Sequence, residues 1–407
     1  IIPTSAPCTP RQRGVHGAGA AEDAMYWHSF TRPCVLMCAI ALLVVFTHTP
    51  GHPADAKLGD GGPAVQAKLK NPCGVVVDAD GNVYIADSGN NRIRKVDGKT
   101  GLITTIAGGG ASHADGIPAG DAALRTPQSM ILDRAGQLVF TDGASRVRRI
   151  DTQTGMLTTL IGGGNVKVRP GKQVPARDVQ FGQLTRIAMN AAGDVFVVDR
   201  HGYILMYEQK TGLVTVVAGT GPRGYAGDGG PASEATLNEP FGLAVAPQGH
   251  LYFTDQHNLV VRKVDAATGR ISTVAGTREA TGKNGLDRVQ QGVATEMFLS
   301  DSIGLAADAR GQVIVCARFA QRVCRLDVEK GTLTVIAGDG WCDGGGDGRY
   351  AGDNGPAITA SFWSPVDAAF DPLGNLYIVE WGNHCVRKID ATTNIITTIA
   401  GTGEPAG

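Results

Sequence analysis

The stretch GYAGDGGPA, at residues 224–232, is a place where the backbone of this chain could hold an ion. It contains four glycines, one carboxylate and one proline in nine positions. Such a segment can cradle a phosphate with its amide groups, present a carboxylate to a metal ion, or form a tight turn. The choice depends on whether the stretch recurs and on where it lies between structural elements.

A second glycine-rich stretch, DGWCDGGGDGRYAGDNG at 339–355, is the best candidate for a metal site. Its carboxylates stand four to six residues apart, at Asp339, Asp343, Asp347 and Asp353. This spacing differs from that of an EF-hand loop, whose ligands alternate every second residue. We therefore expect no cofactor, with calcium at Asp343 and Asp347 as a weak alternative.

Familiar catalytic patterns are missing from the sequence. The histidines after residue 56 stand in separate segments without metal-ligand spacing, at His113, His201, His250, His257 and His384. There is no G-x-S-x-G elbow and no G-x-x-x-x-G-K-[ST] phosphate loop. The sequence predicts no catalytic residue and favours a binding protein over an enzyme.

The elements that must position these residues follow from a long internal repeat. The segment at 74–110 returns at 242–277 and 367–403, with weaker copies at 129–164, 186–221 and 304–340. Each copy contains short β-branched or apolar runs bounded by Gly, Asp and Asn, which is typical of strands and hairpins. Four strands in each of six copies predict an all-β fold, a six-bladed β-propeller of four-stranded antiparallel blades. The predicted blades span about 70–110, 126–164, 183–221, 239–277, 301–340 and 364–403.

The repeat also explains GYAGDGGPA. The stretch recurs as YAGDNGPA at 350–357 and as LGDGGPA at 58–64, each time just before a copy of the repeat. We interpret it as a turn between blades, in which Asp228 bonds nearby backbone amides and Gly229 and Gly230 take positive φ. The sequence ends in GTGEPAG, which LGDGGPA would complete, so we expect the first and last blades to be neighbours.

The repeat pattern P-x-G-[LV]-[AV]-V-D-x-x-G-N-[LV]-Y-[IV]-A-D-x-x-N-[NH]-x-[IV]-R-K-[VI]-D resembles the NHL repeat. The tail D-x-x-T-G-x-I-[ST]-T-[IV]-A-G-T-G resembles the secreted, long-linker branch of that family. The resemblance runs from about residue 58 to the end and is weaker in the third and fifth copies. It implies a six-bladed propeller that binds partners on one face, and it does not imply a single chemistry.

Propeller enzymes of this kind usually hold a metal at the central axis, near the starts of the innermost strands. The corresponding positions carry no histidine and one carboxylate, Asp367. Arg186 and Asp367 belong to blades three apart, so we expect them to face one another across the channel. We predict a polar lining there and keep both as candidate ligand-binding residues. A metal-dependent lyase or hydrolase with an axial site is the alternative function.

Acidic and basic residues recur together at the second and third strands of several copies. The pairs are Asp87 with Arg94, Asp142 with Arg148, and Asp255 with Arg262. Each pair can meet across a hairpin, where opposite charges contribute roughly 0.2–1 kcal/mol. A pattern copied in several blades predicts a structural role. The third and fifth copies depart from it, with an apolar third strand at 203–207 and with Ala317 in place of the aspartate.

Aromatic residues are concentrated in the sixth copy. Trp341, Trp363 and Trp381 are the only tryptophans after residue 56. If strands alternate in direction, the blade linkers and the loops between second and third strands open on one face, with Tyr350 and His384 close by. Exposed aromatic clusters often mark binding surfaces, so these five residues are candidate ligand-binding residues. The alternative is that the rings pack beneath an unusually long linker.

Five cysteines follow residue 56, an odd number, so at least one thiol should be free or paired between molecules in an oxidising compartment. Cys316 and Cys324 lie on the two strands of one hairpin. They can form a disulfide if their Cα atoms come within about 7 Å.

The N-terminal region has the features of a targeting segment. We assign residues 1–24 to an upstream or disordered segment, 25–56 to a signal peptide or short anchor, and 57–407 to the propeller. The apolar run CVLMCAIALLVVF at 34–46 suits a signal-peptide core, and Ala54-Asp55-Ala56 fits a cleavage site. These features predict a secreted protein or one in an organelle lumen. Membrane contact is expected only if the segment stays uncleaved.

Composition agrees with this class of protein. The chain of 407 residues contains 57 glycines, as expected for many tight turns. Its formal net charge of -1 gives no general attraction to nucleic acid, so we expect no nucleic-acid partner. Together the repeat and the motifs predict a non-enzymatic scaffold that binds a protein or a glycan on its loop face.

Overall fold

The computed structural model describes residues 56–279, 286, 289–299, 301–343 and 347–403, and all structural statements below refer to these residues. The predicted upstream segment and nearly all of the predicted signal peptide lie outside them.

The strands form six antiparallel sheets, which confirms the predicted all-β, six-bladed propeller. In every blade the chain runs outward from the innermost strand through three hairpins. Blades 1 to 3 contain β1 (Gly74–Val77), β2 (Val83–Asp87), β3 (Arg92–Val96) and β4 (Ile103–Ala107); β6 (Met130–Leu132), β7 (Leu138–Asp142), β8 (Arg146–Ile150) and β9 (Met156–Gly162); and β11 (Leu184–Met189), β12 (Val195–Asp199), β13 (Tyr203–Glu208) and β14 (Leu213–Ala218). Blades 4 to 6 contain β15 (Pro240–Val245), β16 (Leu251–Asp255), β17 (Val260–Val264) and β18 (Ile271–Ala275); β20 (Ser302–Ala307), β21 (Val313–Ala317), β22 (Arg322–Asp327) and β23 (Thr332–Ala337); and β25 (Pro365–Phe370), β26 (Leu376–Glu380), β27 (Cys385–Ile389) and β28 (Ile395–Ala400).

The linkers add a short outer strand that the sequence analysis missed. Four blades gain a fifth strand, namely β5 (Ile117–Pro118), β10 (Val174–Pro175), β19 (Gln291–Val293) and β24 (Gly355–Pro356). Blades 1 and 4 have single bridges at the same place, Pro63 to Leu102 and Pro231 to Arg270. A strand of two or three residues carries no periodic pattern, so it leaves no signal in the sequence.

Short 3₁₀ helices complete the described secondary structure. Most follow the outer linker strand, and two lie between a second and a third strand. They are η1 (Ala56–Leu58), η2 (Ala64–Gln66), η3 (Ser88–Asn90), η4 (Ala119–Asp121), η5 (Ala176–Asp178), η6 (Ala232–Glu234), η7 (Gln256–Asn258), η8 (Ala294–Glu296) and η9 (Ala357–Thr359). No helix within the described ranges is long and apolar enough to span a bilayer.

The hydrophobic core is divided among the six junctions between neighbouring blades. Each junction has its own cluster of buried side chains, including the junction that joins blade 6 to blade 1. The amide of Gly401 donates to the carbonyl of Ala64 at 3.0 Å, as the amide of Gly219 does to Ala232 at 2.9 Å. The prediction that the first and last blades are neighbours is therefore confirmed.

The linker turn GYAGDGGPA also has the predicted role. Gly229 takes a φ of 83° and the amide of Thr273 donates to Asp228 at 3.1 Å. The prediction for Gly230 was wrong, because Gly227, with a φ of 100°, is the second left-handed residue. The two left-handed glycines therefore lie on either side of Asp228 instead of both following it.

The proposed Cys316–Cys324 disulfide was also wrong. Both residues are free buried thiols. Cys324 lies opposite Val315, and Cys316 lies opposite Val323, so the two cysteines are one step out of register. Neighbouring positions on a strand point to opposite sheet faces. Cys316 accordingly packs at the junction with blade 6 and Cys324 at the junction with blade 4.

Candidate functional site on the loop face

The innermost strands approach so closely that glycine is required beside the axis. A Cβ atom on Gly74 would lie 2.2 Å from the carbonyl oxygen of Gln128 in blade 2. The same atom on Gly304 would lie 2.5 Å from the carbonyl oxygen of Val366 in blade 6. These contacts leave little room at the axis for side chains from every blade.

Arg186 extends from blade 3 across the axis. Its Nη2 donates to the carbonyl of Val366 at 2.7 Å, and its Nη1 donates to the carbonyl of Cys73 at 2.9 Å. The Nη1 atom also lies 3.5 Å from Oδ2 of Asp367, so the predicted meeting of these two residues across the channel is confirmed. Both side chains are largely buried, and Arg186 ties blade 3 to blades 1 and 6.

Burial sets the protonation behaviour of Asp367. It raises the pKa of this carboxyl to about 6, although Arg186 and the amide of Val75 favour the charged form. The guanidinium groups of Arg186 and Arg200 both lie over the ring of Phe241, at 5.6 and 5.3 Å from its centre. Arg186 thus contacts both Asp367 and Phe241 near the axis. That Arg186 or Asp367 contacts a ligand stays a prediction.

The recurring Asp and Arg residues form buried ion-pair clusters, and the predicted structural pairs are confirmed. In each cluster a third-strand arginine lies between the carboxylate that ends the second strand and a carboxylate from the linker, with N to O distances of 2.5–3.5 Å. We call each set the arginine cluster of its blade. The clusters are Arg94 with Asp87 and Asp60, Arg148 with Asp142 and Asp115, Arg262 with Asp255 and Asp228, and Arg387 with Glu380 and Asp353.

The linker carboxylate of the arginine cluster was missed from the sequence. Its signal was the aspartate that stands three residues before the proline in GDGGPA and GDNGPA. Burial raises the pKa of Glu380 to about 7, against the charge of Arg387. At Asp353 burial also acts to raise the pKa, but hydrogen bonds from Thr398 and the charge of Arg387 lower it below its usual value. The GYAGDGGPA aspartate is therefore an ion-pair partner as well as a turn residue.

Two tryptophans of the predicted binding surface are exposed. Trp341 is 39% exposed and Trp381 is 36% exposed. The guanidinium of Arg349 lies over the Trp341 ring at 4.6 Å. Asn383 donates to the carbonyl of Arg349 at 3.1 Å, so the long linker and the loop before β27 lie against one another.

The loop before β22 brings an aromatic residue that the sequence analysis missed. Phe319 is 54% exposed, and the guanidinium of Arg318 lies over the rings of both Phe319 and Trp381, at 5.2 and 5.6 Å. Phe319 occupies the loop where blades 1 and 6 have Gly89 and Gly382, which was the available signal. We call Arg318, Phe319 and Trp381, together with Trp341 and Arg349, the aromatic face.

The other predicted residues have partners within the fold. The hydroxyl of Tyr350 bonds Asp353 at 2.9 Å and Thr398 at 2.7 Å, while its ring covers Arg387. Trp363 is partly buried and packs directly against Gly382 in the loop before β27. Nδ1 of His384 accepts from the amide of Asn71 at 2.9 Å, and burial lowers the pKa of this imidazole. Tyr350 is 43% exposed, so a ligand contact there stays a prediction, as it does for Trp363 and His384.

The acidic loop at 339–355 is only partly described. The amide of Asp347 donates to Oδ1 of Asp343 at 2.9 Å. Over the described parts of the chain, no group of three or more His, Cys, Asp or Glu residues is arranged to hold a metal ion. Calcium at Asp343 and Asp347 stays a prediction.

The architecture is that of a six-bladed β-propeller in which ion pairs join four of the blades to their linkers. The sequence profile of the Teneurin NHL domain matches residues 43–114 and 214–290, and that of the NHL repeat matches residues 362–389. These matches, together with the similarity to NHL repeat-containing proteins, support the assignment of the chain to the NHL-repeat propeller family.

Several known proteins are similar to the chain. Protein SUPPRESSOR OF QUENCHING 1, chloroplastic, from Arabidopsis thaliana is 24% identical over 66% of this chain and 26% of its own length. NHL repeat-containing protein 2 from Gallus gallus is 24% identical over 81% of this chain and 47% of its own length. The chain thus spans less than half of each of these relatives. A Bacteroides thetaiotaomicron protein of unknown function shares the fold, with a TM-score of 0.58, 18% identity, and coverage of 82% of this chain and 73% of its own.

Proposed function

We propose that this propeller is a non-enzymatic binding scaffold that holds a protein ligand on its aromatic face. The observation that carries the proposal is the exposure of Phe319, Trp341 and Trp381, each with an arginine guanidinium over its ring. Tryptophan, arginine and other aromatic residues are enriched where protein interfaces bury most of their binding energy.

The arginines are held in place before any ligand arrives. Nη1 of Arg318 lies 3.4 Å from Asp301, and Nη2 of Arg349 lies 3.3 Å from Asp339. A side chain that is already ordered loses less conformational entropy when a partner binds. At the axis, Arg186 contacts the carbonyls of Cys73 and Val366 and the carboxylate of Asp367, so its guanidinium already has partners inside the fold. This supports a structural role for Arg186 and favours the aromatic face as the binding surface.

A glycan is the second candidate ligand. Two of the three aromatic rings of the aromatic face are indoles, whose flat apolar faces with a polar edge suit the apolar faces of sugar rings. The same surface serves both proposals, so the experiment must identify the ligand class.

We also propose that the protein acts in a secreted or lumenal compartment. The apolar run at 34–46, followed by Ala54-Asp55-Ala56, supports this location. No nucleic-acid partner is proposed, since the net charge is near zero. Membrane association is proposed only for a chain that keeps this segment.

The test is comparative capture from extracellular or lumenal fractions, together with a glycan array. The variant Phe319→Ala/Trp381→Ala should lose a ligand that the wild type retains, with binding weakened about 30-fold or more, as for interface hot spots. Leu373→Ala is the matched control, because Leu373 is 83% exposed in the turn between β25 and β26, away from the loop face. Equal retention by all three proteins would contradict the proposal.

A further inference from the structure

Blade 3 lacks an arginine cluster. In blade 3, Leu205 of the third strand lies opposite Val197 of the second strand. At the equivalent pair of positions in blade 4, Arg262 lies opposite Phe253. The linker position three residues before the proline is Lys172, where blade 4 has Asp228. The arginine and its linker carboxylate have therefore been replaced together, and the aspartate at the end of the second strand, Asp199, remains.

A cavity of about 670 Å³ lies at the first of these replacements, with Leu205 in its lining. Its lining includes both Leu205 and Asp199, the two positions that an arginine side chain joins in four other blades. Phe181 and Tyr203 add buried apolar surface to the wall. The volume falls within the usual range of small-molecule sites.

Asp199 gives this cavity a negative charge in its interior. The residue is 6% exposed and accepts three backbone hydrogen bonds, from Gly182 at 2.7 Å, Gln183 at 3.0 Å and His201 at 3.1 Å. Among the residues that the structure describes, none forms an ion pair with it. In the four arginine clusters the equivalent carboxylate has a guanidinium within 3.1–3.5 Å.

The outer lining of the cavity has the opposite charge. Lys167 and Arg169 are exposed, and both line the cavity. Nη1 of Arg169 donates to the hydroxyl of Tyr203 at 2.8 Å, which fixes the guanidinium at the wall. His201 is the third basic side chain of the lining. A ligand therefore meets cationic groups first and a carboxylate within.

We propose that the blade 3 cavity binds a guanidinium group from outside the chain, which pairs with Asp199 as Arg262 pairs with Asp255. The cationic outer lining selects a carboxylate at the other end of the ligand. The chemical class is thus an arginine with a free carboxylate, either the amino acid itself or the last residue of a peptide. The site is separate from the aromatic face and does not depend on it.

The test is calorimetric titration of the full chain with arginine, citrulline, agmatine and a short peptide that ends in arginine. Citrulline has the shape of arginine without the charge and should bind about 30-fold more weakly or not at all, as expected when one partner of a buried charge pair is lost. Agmatine, which lacks the carboxylate, should bind more weakly than arginine. Tighter binding of arginine or of the peptide distinguishes the two sources of the ligand.

Two variants test the location of the site. Leu205→Arg supplies the internal guanidinium of the other blades and should abolish binding, whereas Gln153→Arg, on an exposed turn of blade 2, should leave it unchanged. If Leu205→Arg fails to fold by circular dichroism, Asp199→Asn decides, with the same expected loss. Equal binding of arginine and citrulline, no binding of any guanidinium compound, or full binding by a folded Leu205→Arg protein would overturn the proposal.

Discussion

Replacing Arg262 by methionine tests whether the arginine clusters hold the blades together. The side chains of Arg262 and Asp255 are both fully buried. Nη1 of Arg262 lies 3.5 Å from Oδ2 of Asp255, and Nη2 lies 2.5 Å from Oδ1 of Asp228. The variant leaves the charge of Asp255 buried without its cation, a change that costs about 3–5 kcal/mol. We expect the free energy of unfolding in urea to fall by that amount.

Two further variants make this prediction specific. Arg134→Met removes an arginine from an exposed turn and should change the free energy of unfolding by less than about 0.5 kcal/mol. Asp255→Asn in combination with Arg262→Met removes the unpaired charge, so the double variant should be more stable than the sum of the single effects by about 2 kcal/mol. Additive effects, or a cost for Arg262→Met no larger than that of Arg134→Met, would show that the buried ion pairs do not stabilise the blade.

Three other properties follow from the same structure. Gly304→Ala should destabilise the fold by about 3 kcal/mol because its Cβ would lie 2.5 Å from a carbonyl oxygen, whereas Gly120→Ala, with nothing within 4 Å, should be nearly neutral by thermal unfolding. In the folded protein the pKa of Asp367 is about 6, so this carboxyl holds its proton more tightly than in the unfolded chain. The free energy of unfolding should therefore fall by about 3 kcal/mol as the pH rises from about 4 to 6. Asp367→Asn should remove this pH dependence, as measured by urea unfolding at each pH. In native alkylation followed by peptide mapping, exposed Cys342 should react first, and buried Cys316, Cys324 and Cys385 should react only after unfolding.

Each of these properties has a result that would contradict it. Equal stability of the two glycine variants would mean that the inner strands can separate freely. An unchanged pH slope in Asp367→Asn would mean that another group titrates in this range. Rapid native labelling of Cys316 or Cys324 would contradict the burial of blade 5.

The fold could be predicted because its information is repeated along the chain. Six copies of one strand pattern fix the number of blades, and the linker motif fixes which blades are neighbours. The Asp and Arg pairs were visible for the same reason. The contribution of these pairs to stability was not visible in the sequence, which suggested surface pairs across a hairpin. Only the structure shows that the linker buries them.

The parts of the site that occur once were harder to predict. Trp341 and Trp381 were identified from their rarity, but Phe319 and Arg318 belong to a different blade and meet Trp381 only in space. The Cys316–Cys324 prediction failed because a spacing of eight residues does not reveal the register of a hairpin. The blade 3 cavity lies where Leu205 replaces an arginine, which is apparent only after the blades are aligned by their register.

Hydrogen exchange of the propeller with and without its captured ligand locates the binding surface on the fold. A ligand on the aromatic face should slow exchange in the loops at 318–321 and 381–384 and in the linker at 339–343, and should leave the opposite turn at 371–374 unchanged. Protection confined to 371–374 or to other turns of that opposite face, with none at Phe319 and Trp381, would contradict it.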